Sequence, residues 1–358
     1  MYPGRIAPEL KTRGWHVFGI ALHGSRVAKK FEDENIQTLT FKSDLTAVLS
    51  IKKILEYLRE NDISVIHAHK SGDVRVAALI AQFRPDIRIF FTDHMGAKKP
   101  KKDLYHRWAY SKMDNVFSIS QATYRWNLTS LPISSDRLIQ LYYGIDLKAY
   151  AVPLTVEECS EVRDSLGISN KGVVIALPGR IDKSKGHEVW LRALQLLSED
   201  STLPAWQAVI IGEASGKDSQ PSGFEDELKT FVDSTWLSDR VSFAGFRSDL
   251  PRCLQAVDIS CIPSACEAFG LSVIESMAAE CAVVGSSTGA IPELVGFDRG
   301  RIADPTDAEQ WRDAIKELLL NDDLRRRLGV AGSRWVAQKF SMDLHIEHLV
   351  SYYESRSL

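Results

Sequence analysis

The stretch DISCIPSACEAFGLSVIESMAAE (258–280) holds three segments of different character. DISCIPS (258–264) is a short apolar run of the kind found in buried strands. ACEAFG (265–270) is a loop ending in glycine. LSVIESMAAE (271–280) has the apolar spacing of a helix. A strand that turns through a glycine loop into a helix is the repeating piece of a parallel, helix-covered sheet. Ligands of such sheets bind beyond the carboxyl ends of the strands. Glu267 therefore stands on a loop aimed at a ligand crevice, and Glu275, eight positions on, lies early in the helix. Gly270 lets the backbone approach a ligand closely. The N–H groups of Gly270, Leu271 and Ser272 open the helix toward an anion. Glu275 could merely complement the helix dipole, but that account leaves Glu267 without a role.

The same alternation extends in both directions. After this stretch comes the strand AVVGSS (282–287). Before it lie the strands VVIALPG (173–179), QAVIIGE (207–213) and RVSFAG (240–245), with helices HEVWLRALQLL (187–197) and FEDELKTFVDSTW (224–236) between them. A front half repeats the pattern, with strands at HVFGIAL (16–22), SVIHAH (64–69), RIFFTDH (88–94) and NVFSIS (115–120) and helices at 50–60 and 74–83. The polar segment 147–171 shows no clear strand and reads as a linker. The expectation is an α/β chain of two doubly wound, Rossmann-like domains, spanning 1–150 and 171–340, with a C-terminal helix in 341–358 packing back toward the front domain.

The chain has 358 residues, 44% hydrophobic and 25% charged, ordinary for a globular protein. No apolar run reaches the roughly 18 residues of a membrane span, and no signal-peptide core opens the sequence. Five cysteines at 159, 253, 261, 266 and 281 form no C-x-x-C pair. They read as free thiols in a reducing compartment, which places the protein in the cytoplasm. The net charge of −3 conceals an asymmetry. Residues 1–150 hold 23 lysines and arginines against 15 acidic residues, a balance of +8, and the remainder carries −11. Two domains with different partners would show this, as would unrelated drift of two solvated surfaces. Nucleic acid is not among the expected partners.

Two further motifs sit at strand ends. PGRIDKSKG (178–186) follows the strand VVIAL and sets Arg180 and Lys185 five residues apart between glycines. Two cations near a helix N-terminus suit a diphosphate, although a solvated basic turn reads the same way. It is not a P-loop, which needs G-x-x-x-x-G-K-[ST]. FTDHMG (91–96) places His94 at a front-half strand end, where it is either structural or catalytic. His67 and His69 have metal-like spacing but no evident third ligand, and read as packing or hydrogen-bonding residues.

Taken in order, GRIDKSKG, VIIGE, VSFAGF, DISCIPSACEAFGLSVIESMAA and STGAIPELV resemble the retaining glycosyltransferases of family 4, whose signature E-x7-E is matched by Glu267 and Glu275. YYGID (142–146), HAHKSGD and FTDH resemble front-domain stretches of that family, and the likeness runs over roughly 8–350. It implies a GT-B fold, two Rossmann-like domains facing across a cleft, and a retaining, metal-independent transferase moving a hexose-type sugar from a UDP- or GDP-linked donor to a glycan or lipid-linked acceptor in surface polysaccharide or lipopolysaccharide synthesis. It implies that Arg180, Lys185, Gly270, Leu271 and Ser272 hold the donor diphosphate and Glu275 the ribose. Glu267 and Phe269 would contact the donor sugar. His94 would bind that sugar or position the acceptor, so His94 and Glu267 are the candidate catalytic pair. No cofactor is implied, and no D-x-D triplet occurs that could hold a metal on the phosphates.

Two departures stand out. Glu280 and Ala282 replace a glycine and a proline past the helix. PGRIAPELKTRGWHV begins at the family's first helix, so the first strand has no counterpart and only Pro3-Gly4 could belong to the glycine-rich loop. The expectation is that neighbours of that strand are left unpaired. Either the start lies upstream, or donor-sugar and acceptor handling are impaired, and a catalytically silent scaffold is then the rival reading. A GT-B epimerase would lack the E-x7-E loop, and a phosphorylase would need a pyridoxal-lysine motif. Finally, KKPKKDLYHRWAYSK (98–112) sets Lys98, Lys99, Lys101 and Lys102 beside Tyr105, Trp108 and Tyr110. Lysines beside aromatic rings suit an anionic membrane surface, which would make the protein peripheral on the inner face. A solvated loop and a helix with inward rings would also fit.

Overall fold

The computed structural model describes residues 2–169, 172–214 and 223–355. The chain divides into two compact units, one of Met1–Gly144 with Asp343–Leu358 and one of Ile145–Met342.

The first unit contains two parallel ladders. β1 (Gly19–Leu22) pairs with β2 (Thr38–Phe41), and β3 (Val65–Ala68), β4 (Arg88–Asp93), β5 (Asn115–Ser118) and β6 (Leu138–Gln140) pair in that order. The ladders do not join among the described residues: β1 bonds only to β2, and β3 only to β4. β4 is the centre of this unit. Ile89, Phe90 and Phe91 are fully buried, as expected of a parallel strand covered on both faces. Helix Ile51–Glu60 turns Ile54 and Leu58 into the core, and helix Asp73–Phe83 adds Ala77, Ala78 and Ile80. The terminal helix Met342–Glu354 buries Ile346, Leu349 and Tyr353. It is tied down by Arg88, whose Nη1 donates to the carbonyls of Tyr352 and Tyr353 at 2.9 and 3.1 Å.

The second unit holds one continuous parallel sheet: β7 (Val173–Pro178), β8 (Trp206–Ile211), β9 (Val241–Gly245), β10 (Ile259–Ile262), β11 (Ala282–Ser286) and β12 (Gly300–Ala303), in spatial order β12-β11-β10-β7-β8-β9. This is the doubly wound order, and the direction of winding reverses between β7 and β10. Trp190, Leu194, Ile210, Trp311 and Ile315 fill one face.

Segment 147–171 differs from the expected linker. Residues Val156–Ser165 form a helix started by a capping box, with the Thr155 side chain accepting from the Glu158 N–H while the Glu158 carboxylate accepts from the Thr155 N–H. Val162, Leu166 and Ile168 pack in the core of the second unit against Val174, Val209 and Leu254. The segment is part of that unit because it supplies apolar cover for the face of β7 and β8 opposite Trp190. Residues 170 and 171 of that stretch, and 356–358 of the tail, lie outside the described residues.

Candidate active site

The reversal point of the second sheet brings together the loops after β7 and β10. The first loop leaves Pro178, makes a short 3-10 turn at Lys183–Lys185 and enters helix His187–Ser198 through Gly186. Asp182 starts the turn by accepting from the Ser184 N–H at 2.9 Å and its hydroxyl at 2.5 Å. Gly186 has φ 75°, and a Cβ there would lie 2.2 Å from the Pro263 carbonyl oxygen. Only glycine permits this approach. The Ala265 N–H donates to the Ser184 carbonyl at 2.9 Å, which joins the two loops.

Across that seam Lys185 Nζ pairs with Glu267 Oε1. The side chains are 27% and 18% exposed, so the pair is only partly screened by water. Ser264, at the end of the strand segment, donates its hydroxyl to the same carboxylate oxygen at 3.0 Å. Gly270, with φ 101°, is the N-cap of helix Leu271–Ala278. The first N–H groups of a helix have no acceptor within it, so Leu271 and Ser272, both half-buried, present donors at this end. Glu275 is half-buried one turn along. Arg180 is exposed and pairs loosely with Asp182 at 3.5 Å. Phe269 lies between Glu267 and Gly270 on the same loop. Its ring is 4% exposed and packs 6.1 Å from Phe340, because the turn into the helix rolls the side chain into the core.

A second tier was not singled out residue by residue from the sequence. Thr288 donates to the carbonyls of Ala265 and Ser264 at 2.8 and 3.2 Å. The Ala290 N–H donates to the Glu267 carbonyl at 2.9 Å. A Cβ on Gly289, at φ 62°, would lie 2.3 Å from that same oxygen. Only the polar, glycine-bearing STGA turn directly after β11 signalled a second loop at this end.

His94 belongs to the first unit. It follows β4, where the Asp93 carboxylate accepts from the N–H groups of Met95 and Gly96, each at 3.1 Å. His94 Nδ1 bonds the Tyr143 hydroxyl, and its buried Nε2 has no partner among the described groups. Burial lowers its pKa to about 4, so it is neutral at pH 7. His69 stacks on it at 5.5 Å, and the Tyr2 ring lies 5.2 Å away. His67 bonds Tyr353 at 2.5 Å and Thr92 at 2.7 Å, as a structural histidine does.

The lysine stretch is only partly as expected. Tyr110 is buried and Trp108 packs against the core, because helix Leu104–Ser111 turns that face inward. Lys101 is engaged by the Ser71 hydroxyl at 2.9 Å, and Lys98 lies over the Trp126 ring at 5.1 Å. Lys99 and Lys102 are exposed, as are Tyr105 at 37% and Leu104 at 85%. Among the described residues no helix is long and apolar enough to cross a membrane.

Residues 2–149 match the family described as Glycosyltransferase Family 4, and residues 160–335 that described as Glycosyl transferases group 1. The chain is 27% identical over 298 residues to the lipopolysaccharide core biosynthesis mannosyltransferase LpsB of Rhizobium meliloti, covering 81% of this chain and 79% of the relative. It is 32% identical over 300 residues to a D-inositol 3-phosphate glycosyltransferase of Corynebacterium aurimucosum, covering 79% and 69%. Among solved structures, a glycosyltransferase from Rickettsia africae superposes with a TM-score of 0.87 at 21% identity, covering 98% of this chain and 93% of that one. Anabaena Alr3699/HepE in complex with UDP superposes at 0.83 and 20%, covering 99% and 95%. With matches across both units and relatives at this level, the chain belongs to the family 4, group 1 glycosyltransferases and has the GT-B fold.

Proposed function

We propose that this glycosyltransferase is a retaining, metal-independent enzyme that moves a hexose-type sugar from a UDP- or GDP-linked donor to a glycan or glycolipid acceptor in lipopolysaccharide or similar surface polysaccharide synthesis. The observation that carries the reading is the meeting of Lys185 and Glu267 at the reversal point of the second sheet, beside the open end of helix Leu271–Ala278. As the bond from sugar to phosphate oxygen breaks, negative charge grows on the departing diphosphate. Arg180, Lys185 and the N–H groups at Gly270, Leu271 and Ser272 oppose that charge without a divalent ion. Glu275 accepts the ribose hydroxyls. Glu267 accepts hydroxyls of the donor sugar while holding Lys185 in place. His94, neutral through burial, serves as a hydrogen-bonding group toward the sugar or acceptor through Nε2.

Relatives named for lipopolysaccharide core mannosyl transfer and solved neighbours bound to UDP and UDP-glucose favour the pathway and donor class. The exposed Lys99, Lys102 and Leu104, with Lys98 and Lys101 beside them, favour a cytoplasmic protein resting on the anionic inner membrane face. Incubation with a panel of nucleotide sugars and a lipopolysaccharide-core acceptor, read by mass spectrometry, tests the activity, and NMR of the product anomer tests retention. Full activity is expected in excess EDTA. Strict dependence on Mg²⁺ or Mn²⁺ overturns the metal-independent mechanism, and an inverted anomer overturns retention.

A further inference from the structure

The loop that carries Glu267 is held from behind by a chain of hydroxyls. Ser286 is fully buried at the end of β11, and its Oγ lies 2.7 Å from Thr288 Oγ1. The Thr288 hydroxyl has one hydrogen, shared between the carbonyls of Ala265 at 2.8 Å and Ser264 at 3.2 Å. Thr288 Oγ1 must therefore accept from Ser286, whose own oxygen accepts from the Thr288 N–H at 3.2 Å. The hydroxyl protons therefore run one way, from Ser286 on the strand through Thr288 to the loop carbonyls, while the Thr288 N–H donates back to Ser286. The chain ends at Ser264, the residue whose hydroxyl donates to Glu267 Oε1. Gly289 and the Ala290 N–H close on the Glu267 backbone from the same turn.

We propose that Thr288, backed by Ser286, is a positioning residue that fixes the Glu267 carboxylate on Lys185 before any donor arrives. The proposal rests on the reading of Lys185 and Glu267 as donor-site residues, but the clamp can be tested without it. A residue that merely packs the loop would need Thr288 for its volume. A positioning residue needs the hydroxyl, so Thr288→Val and Thr288→Ser must part company.

The test has two readouts. Steady-state transfer with Thr288→Val is expected to lose about tenfold in kcat, with donor KM within about twofold, and Thr288→Ser to recover most of it. In a Glu267→Gln background the same change should cost little, since the clamp acts through Glu267. Independently, pulse labelling of lysines with acetic anhydride, read by peptide mass spectrometry on the ligand-free protein, should show Lys185 labelled faster in Thr288→Val and not in Thr288→Ser. Unchanged Lys185 labelling in Thr288→Val overturns the clamp, as does equal loss in both Thr288 variants. If Glu267→Gln keeps full activity, the donor-site reading of Glu267 falls, and the labelling still decides the clamp. Should Thr288→Val fail to fold, Ser264→Ala removes the last bond of the chain and carries the labelling test with the same expected rise.

Discussion

The two units meet the demands of a parallel α/β fold differently. The second has one six-stranded sheet whose core is almost wholly apolar, with Trp190 and Trp311 at its centre. The Lys185–Glu267 pair lies where its loops after β7 and β10 meet. The first has its strands in two ladders and packs four histidines, His67, His69, His94 and His345, around the ring of Tyr2. Histidines packed in the first unit must stay neutral there, so their protonation opposes folding.

The largest effect is expected at the seam. Glu267→Ala and Lys185→Ala should each reduce transfer by about tenfold to a hundredfold, since charge-assisted contacts are worth ~1.5–3 kcal/mol, while Glu275→Ala should act chiefly on donor binding. Because Lys185 and Glu267 hold one another, the double variant should lose less than the product of the single losses. Steady-state kinetics decides this, and a near-normal Lys185→Ala would detach the seam from catalysis.

Acid should separate the units next. Burial depresses four histidines of the first unit, His94 and His345 to about 4 and His67 and His69 well below their ordinary value. The unfolded chain takes up these protons near pH 6.5 and the folded chain does not. Stability is thus fully present above about pH 6.5 and falls as the pH drops toward 4, by on the order of 3 kcal/mol for a histidine such as His94. The second unit has one histidine so placed, His187. Hydrogen exchange at pH 7 and pH 5 should show β3–β5 losing more protection than β7, β8 and β10. Equal losses would show that the histidine cluster is not what distinguishes the units.

A smaller change tests whether the seam is also structural. Gly186→Ala puts a Cβ 2.2 Å from the Pro263 carbonyl at a left-handed backbone position, a cost of about 1–2 kcal/mol from the backbone alone. The thermal midpoint of the second unit should fall while that of the first stays put. The smallest expected effect lies on the first unit's surface. Changing Lys99 and Lys102 to glutamate should weaken sedimentation with anionic liposomes at low salt, at about 1 kcal/mol per charge. Unchanged binding, or equal binding to neutral vesicles, would favour a soluble acceptor.

The strands with long apolar runs, such as VVIALP at β7 and RIFFTD at β4, were legible because burial on both faces leaves few polar residues in them. β2, β6 and β12 were not, being three or four residues long with no run to mark them. The helix Val156–Ser165 reads as linker in the sequence although Thr155 and Glu158 carry a capping signal, because its apolar residues are sparse and find their partners only in the folded unit. Sequence alone determined the α/β class, the strand–loop–helix setting of Glu267 and Gly270, the position of Lys185 on a strand-end loop, and, through the order of motifs, the family. Those are consequences of local periodicity and of residue types at fixed spacing. Tertiary structure alone decided that Lys185 meets Glu267 across 82 positions, that Thr288 stands behind their loop, and that the rings of Phe269 and Tyr110 turn inward. Spacing along the chain tells which face a side chain takes. Which loops become neighbours depends on the winding order of the sheet, and that order is settled only when all the helices have found cover for both of its faces.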